Sequence, residues 1–314
     1  MVYHMVTRID RLSIVQPIEK AVFVKSEQRL RILAKTYGVQ AKKLQKGLGY
    51  RAVIPLSTSD KTIRVSVESH YGRRFVKYDF KPNDFSSAEI VTFNEASTIF
   101  GQPSLRNSIQ LGNVSYVELA IDYVGVIPAD ILYFNPYSRP SAYGPDVLHG
   151  GYYLGSRRSR RRFHVYNRSK HPQANPLEIA WSPLMRVEAR LRDCKLRPID
   201  LGKLKNPFLS LRIVDQKLLA QSIPKAPGLA MALEACRTLG SPRAFKVFPE
   251  WKHAILEAAK TSQVSWWRPH LAMKKWPDMV QSQLRFKLLD LLDASTTTTF
   301  APSLPPLSVQ AAAE

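Results

Sequence analysis

Apolar and polar side chains alternate along several stretches of the chain, the period of a strand with one buried face. "TIRVSVESHYG" and "RRFVKYDF" alternate in this way, "HMVTRIDRLSIV" has strand character, and "VSYVELAIDYVGV" is strongly β-branched and aromatic. "SEQRLRILAKTYG" has helical spacing, with Ser26 as its N-cap and Gly38 as its stop. "NDFSSAEIVTFNEASTIFG" reads as a strand or a helix after a capped turn, ending at Gly101. Pro and Gly punctuate residues 135–151; then come a strand–turn–strand over "YYLGSRRSRRRFHVYNRSK" and a strand over "PLMRVEARLRDC". From Gln216 the pattern turns helical, in "GLAMALEACRTLG", "PEWKHAILEAAK" and "PDMVQSQLRFKLLDLLD".

The expected fold class is α+β: two related α+β halves with antiparallel sheets, followed by a helical C-terminal region. The divisions fall at residues 1–105, 106–215, a basic helical region over 216–293 and a tail over 294–314. The tail is small, polar and Pro-containing, a composition expected to stay disordered. A short echo supports two halves: "VTRIDRLSIV" resembles "VSYVELAIDY", and "RFVKYDF" resembles "RFHVYNR". Echoes this short also arise by chance.

Charge narrows the class of partner. The 314 residues carry a formal net charge of +21. Residues 151–215 hold 15 Lys/Arg against 5 Asp/Glu, so +10 of the +21 sits in a fifth of the chain. Such concentration favours a polyanionic partner, nucleic acid before an anionic membrane surface. Two cysteines, Cys194 and Cys236, lack metal-type spacing and suit a reducing compartment. No stretch approaches the ~18 apolar residues of a membrane span, and the N-terminus has no secretory pattern, so a cytoplasmic protein is expected.

Strand alternation sorts the candidate chemistry. Glu118 and Asp122 share a face of one strand, ~13 Å apart from the rise per residue. Arg162, His164, Tyr166, Arg168 and Lys170 share a face of another, with Phe163 and Val165 turned into the core. Tyr166 is therefore expected on the polar face, where cationic neighbours would favour its phenolate over the ordinary pKa of ~10. Arg186, Glu188 and Arg190 share a face of a third strand. Carboxylates beside a tyrosine on a basic surface fit metal-assisted phosphoryl transfer, with Mg²⁺ or Mn²⁺ as the ion. The competing reading pairs each carboxylate with an arginine and leaves Tyr166 to pack or stack. Trp266, Trp267 and Trp276 are either core residues or stacking platforms for unpaired bases. Nucleotide-binding glycine loops, a zinc pattern and the G-x-S-x-G elbow are all missing from the sequence.

"VELAIDY", "YLGSRRSRRRFHVYNRSK" and "MRVEARLR", in that order over about residues 110–195, resemble the signature of rolling-circle replication initiators of the plasmid and filamentous-phage replication initiation factor type. The resemblance implies a site-specific DNA nickase and ligase. Tyr166 would attack an origin phosphodiester, keep the 5′ phosphate and release a 3′ hydroxyl as primer, with His164 and Lys170 beside it in the catalytic set. Glu118, Asp122 and Glu188 would be the metal-site acids. Arg157, Arg158, Arg160, Arg161, Arg162, Arg168, Arg186 and Arg190 would bind DNA. Arg168 stands where the family usually has lysine, and the His-hydrophobe-His motif of other initiators is absent. The implied partners are origin DNA, double- and single-stranded, with a host helicase and a second copy of the chain as protein candidates, and no membrane. The alternative function is a non-catalytic, site-specific DNA-binding regulator.

Overall fold

The computed structural model describes residues 5–280, apart from 46–47, 57–60, 128–130, 135–142, 147–150, 173, 175 and 225–226. The expected tail over 294–314, and most of the helix expected from Pro277, lie outside the described residues.

One ten-stranded antiparallel sheet runs through the molecule. Its first half comprises β1 (Met5–Pro17), β2 (Lys42–Lys43), β3 (Leu48–Pro55), β4 (Thr62–His70) and β5 (Arg73–Phe80). Its second half comprises β6 (Asn113–Val124), β8 (Tyr143–Asp146), β9 (Gly151–Leu154), β10 (Arg161–Asn167) and β11 (Leu184–Arg192). The spatial order is β2-β3-β4-β5-β1-β6-β11-β10-β9-β8, so each half runs outward from a central β1–β6 pair in the same way. The two halves thus share one sheet, joined by a long pairing from Met5↔Tyr123 to Val15↔Asn113. The echo between "VTRIDRLSIV" and "VSYVELAIDY" falls on the equivalent strands β1 and β6. The echo between "RFVKYDF" and "RFHVYNR" does not, because β5 adjoins the centre and β10 lies one strand further out.

The apolar face follows the alternation. Ile9, Leu12, Ile14, Val117, Leu119, Ile121, Phe163, Val165, Val187 and Ala189 are buried on it. Helix α1 (Lys20–Thr36) packs on β3, β4 and β5, with Phe23, Leu30 and Leu33 inward. This helix begins six residues before the expected Ser26, because Phe23 extends its apolar stripe by two turns; Ser26 is an interior, buried position. Gly38, at φ +67°, stops it as expected. The ambiguous "SSAEIVTFNEAS" is helix α2 (Ser87–Ser97), started by a capping box between Ser86 and Glu89. Helix α3 (Leu105–Leu111) leads into β6.

Beyond β11 the chain does two things. A two-stranded sheet of β7 (Ile131–Phe134) and β12 (Arg212–Asp215) builds a second core with α5 (Gln216–Gln221), α6 (Leu229–Leu239), α7 (Ser241–Val247) and α8 (Lys252–Thr261). The chain then returns to the main sheet, where α9 (Pro269–Lys274) and α10 (Trp276–Val280) pack on β1. Trp267 and Trp276 are buried, their Nε1 donating to the Leu211 and Leu201 carbonyls at 2.9 and 2.6 Å, and Trp266 packs on Tyr123 with centroids 4.8 Å apart. These tryptophans are core residues here. No helix among the described residues is long and apolar enough to cross a membrane.

The β4–β5 hairpin turns in two residues, Tyr71 and Gly72, with φ of +49° and +77°. A turn of this hand suits Asn-Gly; a tyrosine in the left-handed region costs about 1–2 kcal/mol.

Because α10 anchors the returning chain through a buried indole, Trp276→Ala is expected to cost about 3–5 kcal/mol of unfolding free energy. Chemical denaturation measures this, and a loss below about 1 kcal/mol would show that α10 is not part of the main core.

Candidate active site

Register brings the predicted side chains together on the face opposite the apolar core. Across β6 and β11, Glu118 stands opposite Arg190 and Asp122 opposite Arg186. Across β10 and β11, Arg162 stands opposite Arg190, His164 opposite Glu188 and Tyr166 opposite Arg186. Cross-strand neighbours on one face lie within side-chain reach, so the three strands present one continuous polar surface.

A fourth strand completes it. The β1 register slips between Ile9 and Arg11, leaving Asp10 as the extra residue of a bulge. The side-chain amide of Asn83 donates to the Ile9 carbonyl at 2.8 Å and so ties the kink down. Bulges re-aim side chains, and this one turns Asp10 toward Glu118 and Glu188, with one oxygen of each carboxylate within 4.8 Å of the others. The sequence reading missed Asp10. Its signal is the spacing of the buried residues Ile9, Leu12 and Ile14: a step of three, then a step of two, marks an inserted residue in a strand.

Tyr166 meets this carboxylate group directly, its hydroxyl donating to Glu188 Oε1 at 2.6 Å. Glu188 Oε2 lies 2.7 Å from Arg190 and 3.4 Å from His164 Nδ1. Arg190 also reaches Glu118 at 2.5 Å, and the Tyr116 hydroxyl donates to Glu118 at 3.1 Å. Burial works against ionisation of Glu188, yet the His164 hydrogen bond and the Arg190 charge outweigh it and hold its carboxyl well below the usual range. Glu118 then carries the repulsion: burial and the charge of Glu188 push it up to about 8. Burial and the same charge raise Asp10. Three carboxylates thus converge, with the Arg190 guanidinium paired to two of them, Glu118 and Glu188. Hard oxygen donors in that arrangement fit Mg²⁺ or Mn²⁺.

Of the expected acids Glu118, Asp122 and Glu188, Asp122 lies apart from this group, and the carboxylates close enough to share one ion are Asp10, Glu118 and Glu188. Four residues along β6, its carboxylate accepts from Arg186 Nε at 2.7 Å and Nη2 at 2.9 Å, and also pairs with Arg8. Arg186 further pairs with Glu178 of α4 (Pro176–Ala180) at 2.8 Å and with Asp10 at 3.4 Å. Arg168 pairs with Glu178 at 2.9 Å. Arg186, expected to bind DNA, is 1 % exposed and pairs with three carboxylates, Asp10, Asp122 and Glu178. Arg190 and Arg168 are likewise engaged with carboxylates of this face. Glu178, contributed from between β10 and β11, carried no periodicity that could have singled it out.

An aromatic ladder flanks the carboxylates. The Arg162 guanidinium lies 4.0 Å from the Tyr153 ring centroid, Tyr153 stacks on His164 at 4.0 Å, and His164 stacks on Tyr166 at 4.1 Å. Tyr152 points to the other side, against Tyr133. The polar face is itself covered: Tyr166 is 2 % exposed and His164 3 %. Two expectations change as a result. Tyr166 does not lie open, and its phenol is raised rather than activated, because burial and the Glu188 charge outweigh Arg186 and Arg168. Gly151 sits so close beneath that a Cβ there would overlap the Val165 carbonyl and the Tyr166 backbone.

The remaining predicted cations lie apart from this centre. Lys170 is exposed, in the 3₁₀ turn Arg168–Lys170 that follows β10. Arg157, Arg158 and Arg160 are exposed in the β9–β10 turn, and Arg161 is half-buried over Phe163. No family model matches the chain, and no characterised protein matches it in sequence.

Two measurements follow. Asp122→Ala removes the two-bond partner of the buried Arg186 guanidinium and is expected to cost about 3 kcal/mol in denaturant unfolding; a near-neutral result would mean that Asp10 and Glu178 satisfy Arg186 without it. Glu118, held near 8, takes up a proton on folding anywhere between its ordinary range and that value. Its contribution is complete at acid pH and declines as pH rises toward 8. Glu118→Gln should therefore flatten the fall in Tm between pH 5 and 8.5, and an unchanged slope would contradict the raised carboxyl.

Proposed function

We propose that the chain is a DNA nickase and ligase that starts rolling-circle replication through a covalent 5′-phosphotyrosine, as its resemblance to plasmid and filamentous-phage initiators implies. The observation that carries the reading is the Tyr166 hydroxyl hydrogen-bonded to an ionised Glu188 beside Asp10 and Glu118. A nucleophile within reach of its base, next to acids able to hold a divalent cation, is the arrangement that phosphoryl transfer needs.

In this reading the Tyr166 oxygen attacks the phosphorus while its proton passes to Glu188. The P–O3′ bond breaks, and Glu188 passes that proton on to the departing oxygen, which leaves as a 3′ hydroxyl. Attack by a 3′ hydroxyl on the phosphotyrosine reverses the sequence and rejoins the strand without a nucleotide cofactor. Asp10, Glu118 and Glu188 would hold the Mg²⁺ or Mn²⁺, which neutralises phosphate charge. His164 and Arg190 keep Glu188 ionised and oriented. Burial of Tyr166 means that its cover must move aside before DNA reaches it, which protects the nucleophile between events.

A non-catalytic DNA-binding regulator is the second reading. Arg190 favours it, since it pairs with Glu118 and Glu188 at 2.5 and 2.7 Å and could serve them structurally. Covalent capture separates the two. Incubation with Mg²⁺ and supercoiled or single-stranded DNA of its own replicon, followed by nuclease and protease digestion and mass spectrometry, should yield a nucleotide on the Tyr166 peptide. The adduct should vanish in Tyr166→Phe and with EDTA. Salt-sensitive binding without an adduct would assign the regulator instead. Mn²⁺ should also raise Tm, more at pH 8 than at pH 6, because it displaces the proton the carboxylates share; equal, negligible shifts at both would remove the metal site.

A further inference from the structure

Tyr71 is fully exposed, at 106 % of its reference area, and buries nothing against its own protein. It occupies a left-handed position of a two-residue turn that asparagine or glycine fills without strain. The folded chain gains nothing from an aromatic ring there and loses some stability to it. Such a residue is best explained by what it touches outside the chain.

Topology says where that partner lies. Pairing of Arg73 with His70 and of Pro17 with Phe75 puts the hairpin tip at the end of the sheet where β6 begins and β11 ends. The β9–β10 turn with Arg157, Arg158 and Arg160 is at that same end, since Arg161 pairs with Leu191. The two turns flank β1, β6 and β11, so they stand roughly 20 Å apart at ~4.8 Å per strand. Exposed Arg73 stands beside Tyr71, and exposed Arg192 and Lys195 lie between the turns. One end of the sheet thus carries Arg73, Arg157, Arg158, Arg160, Arg192 and Lys195 against Glu19 and Asp193, a net cationic rim with an aromatic at one corner.

We propose that this end of the sheet is a nucleic-acid surface and that Tyr71 stacks on an unpaired base while the arginines hold the backbone. Aromatics among cations suit single-stranded DNA, whose bases offer a π-face whatever their identity. The proposal rests on the DNA reading above but not on cleavage, and it gives the first half of the molecule a role in binding.

The test uses the full chain carrying Tyr166→Phe, without divalent metal, and a forked DNA oligonucleotide with 2-aminopurine at the junction. Tyr71→Asn should fold normally, with Tm unchanged or raised by a degree or two. It should weaken fork binding about tenfold and lose the 2-aminopurine fluorescence change. The slope of log Kd against log salt should stay the same, because a neutral ring releases no counterions. Arg73→Ala and Arg157→Ala should each shallow that slope. Fork affinity and fluorescence identical to the parent in Tyr71→Asn would overturn the proposal, including where anionic vesicles or a protein partner respond instead. The nickase reading fails separately, by absence of the Tyr166 adduct in the unsubstituted protein.

Discussion

The pairing of β1 with β6 is the constraint on which the rest depends. Each half of the sheet has one apolar and one polar face, and each could leave its polar face in water. Joining them edge to edge makes both inner strands central, and on the polar face around the joint Glu118, Asp122, Arg186 and Glu188 are buried. Carboxylates and guanidinium groups there lose most of their water. They persist because each finds an opposite charge: Asp122 with Arg186 and Arg8, Glu178 with Arg168, Glu188 with Arg190. Removing one partner from such a set costs more than the pair itself contributes. The network therefore fixes the register of β6, β10 and β11 more narrowly than their apolar side chains require.

The carboxylate group around Tyr166 departs from this balance, and the departure is local. Among the described residues, Asp10, Glu118, Asp122, Glu178 and Glu188 are linked by ion pairs to Arg8, Arg168, Arg186 and Arg190, with Arg162 and His164 on the same face. Glu118 and Asp10 are the two acids raised, by burial first and then by Glu188. The proposed cation and phosphate chemistry draws on those two acids.

Much of this was legible in the sequence. Alternation in "VELAIDY", "RRFHVYNR" and "MRVEARLR" assigned Glu118, Asp122, His164, Tyr166, Arg186, Glu188 and Arg190 to one face, and the register agrees. Alternation states a face, not a depth. It could not say that the polar face is covered, and so it suggested an open, activated Tyr166 and a DNA-binding Arg186. Nor does a period of two survive a bulge, which hid Asp10. Glu178 arrives from a connection between strands, where no periodicity operates. The start of α1 was misread because Ser26 fits a cap by type, whereas Phe23 decides the helix by burial.

Gly151 has a consequence for how such a chain can vary. Its backbone lies against the Val165 carbonyl and the Tyr166 backbone with no room for a side chain. The position of Tyr166 is therefore set by main chain on main chain, a contact that substitution can only break. Arg157, Arg158 and Arg160 face no such restriction, because they project from a turn into solvent. Substitution can change the charge and shape of the β9–β10 turn while the strand on which it is mounted stays fixed. The proposed DNA contact at the turn is thus free to vary where the position of Tyr166 is not.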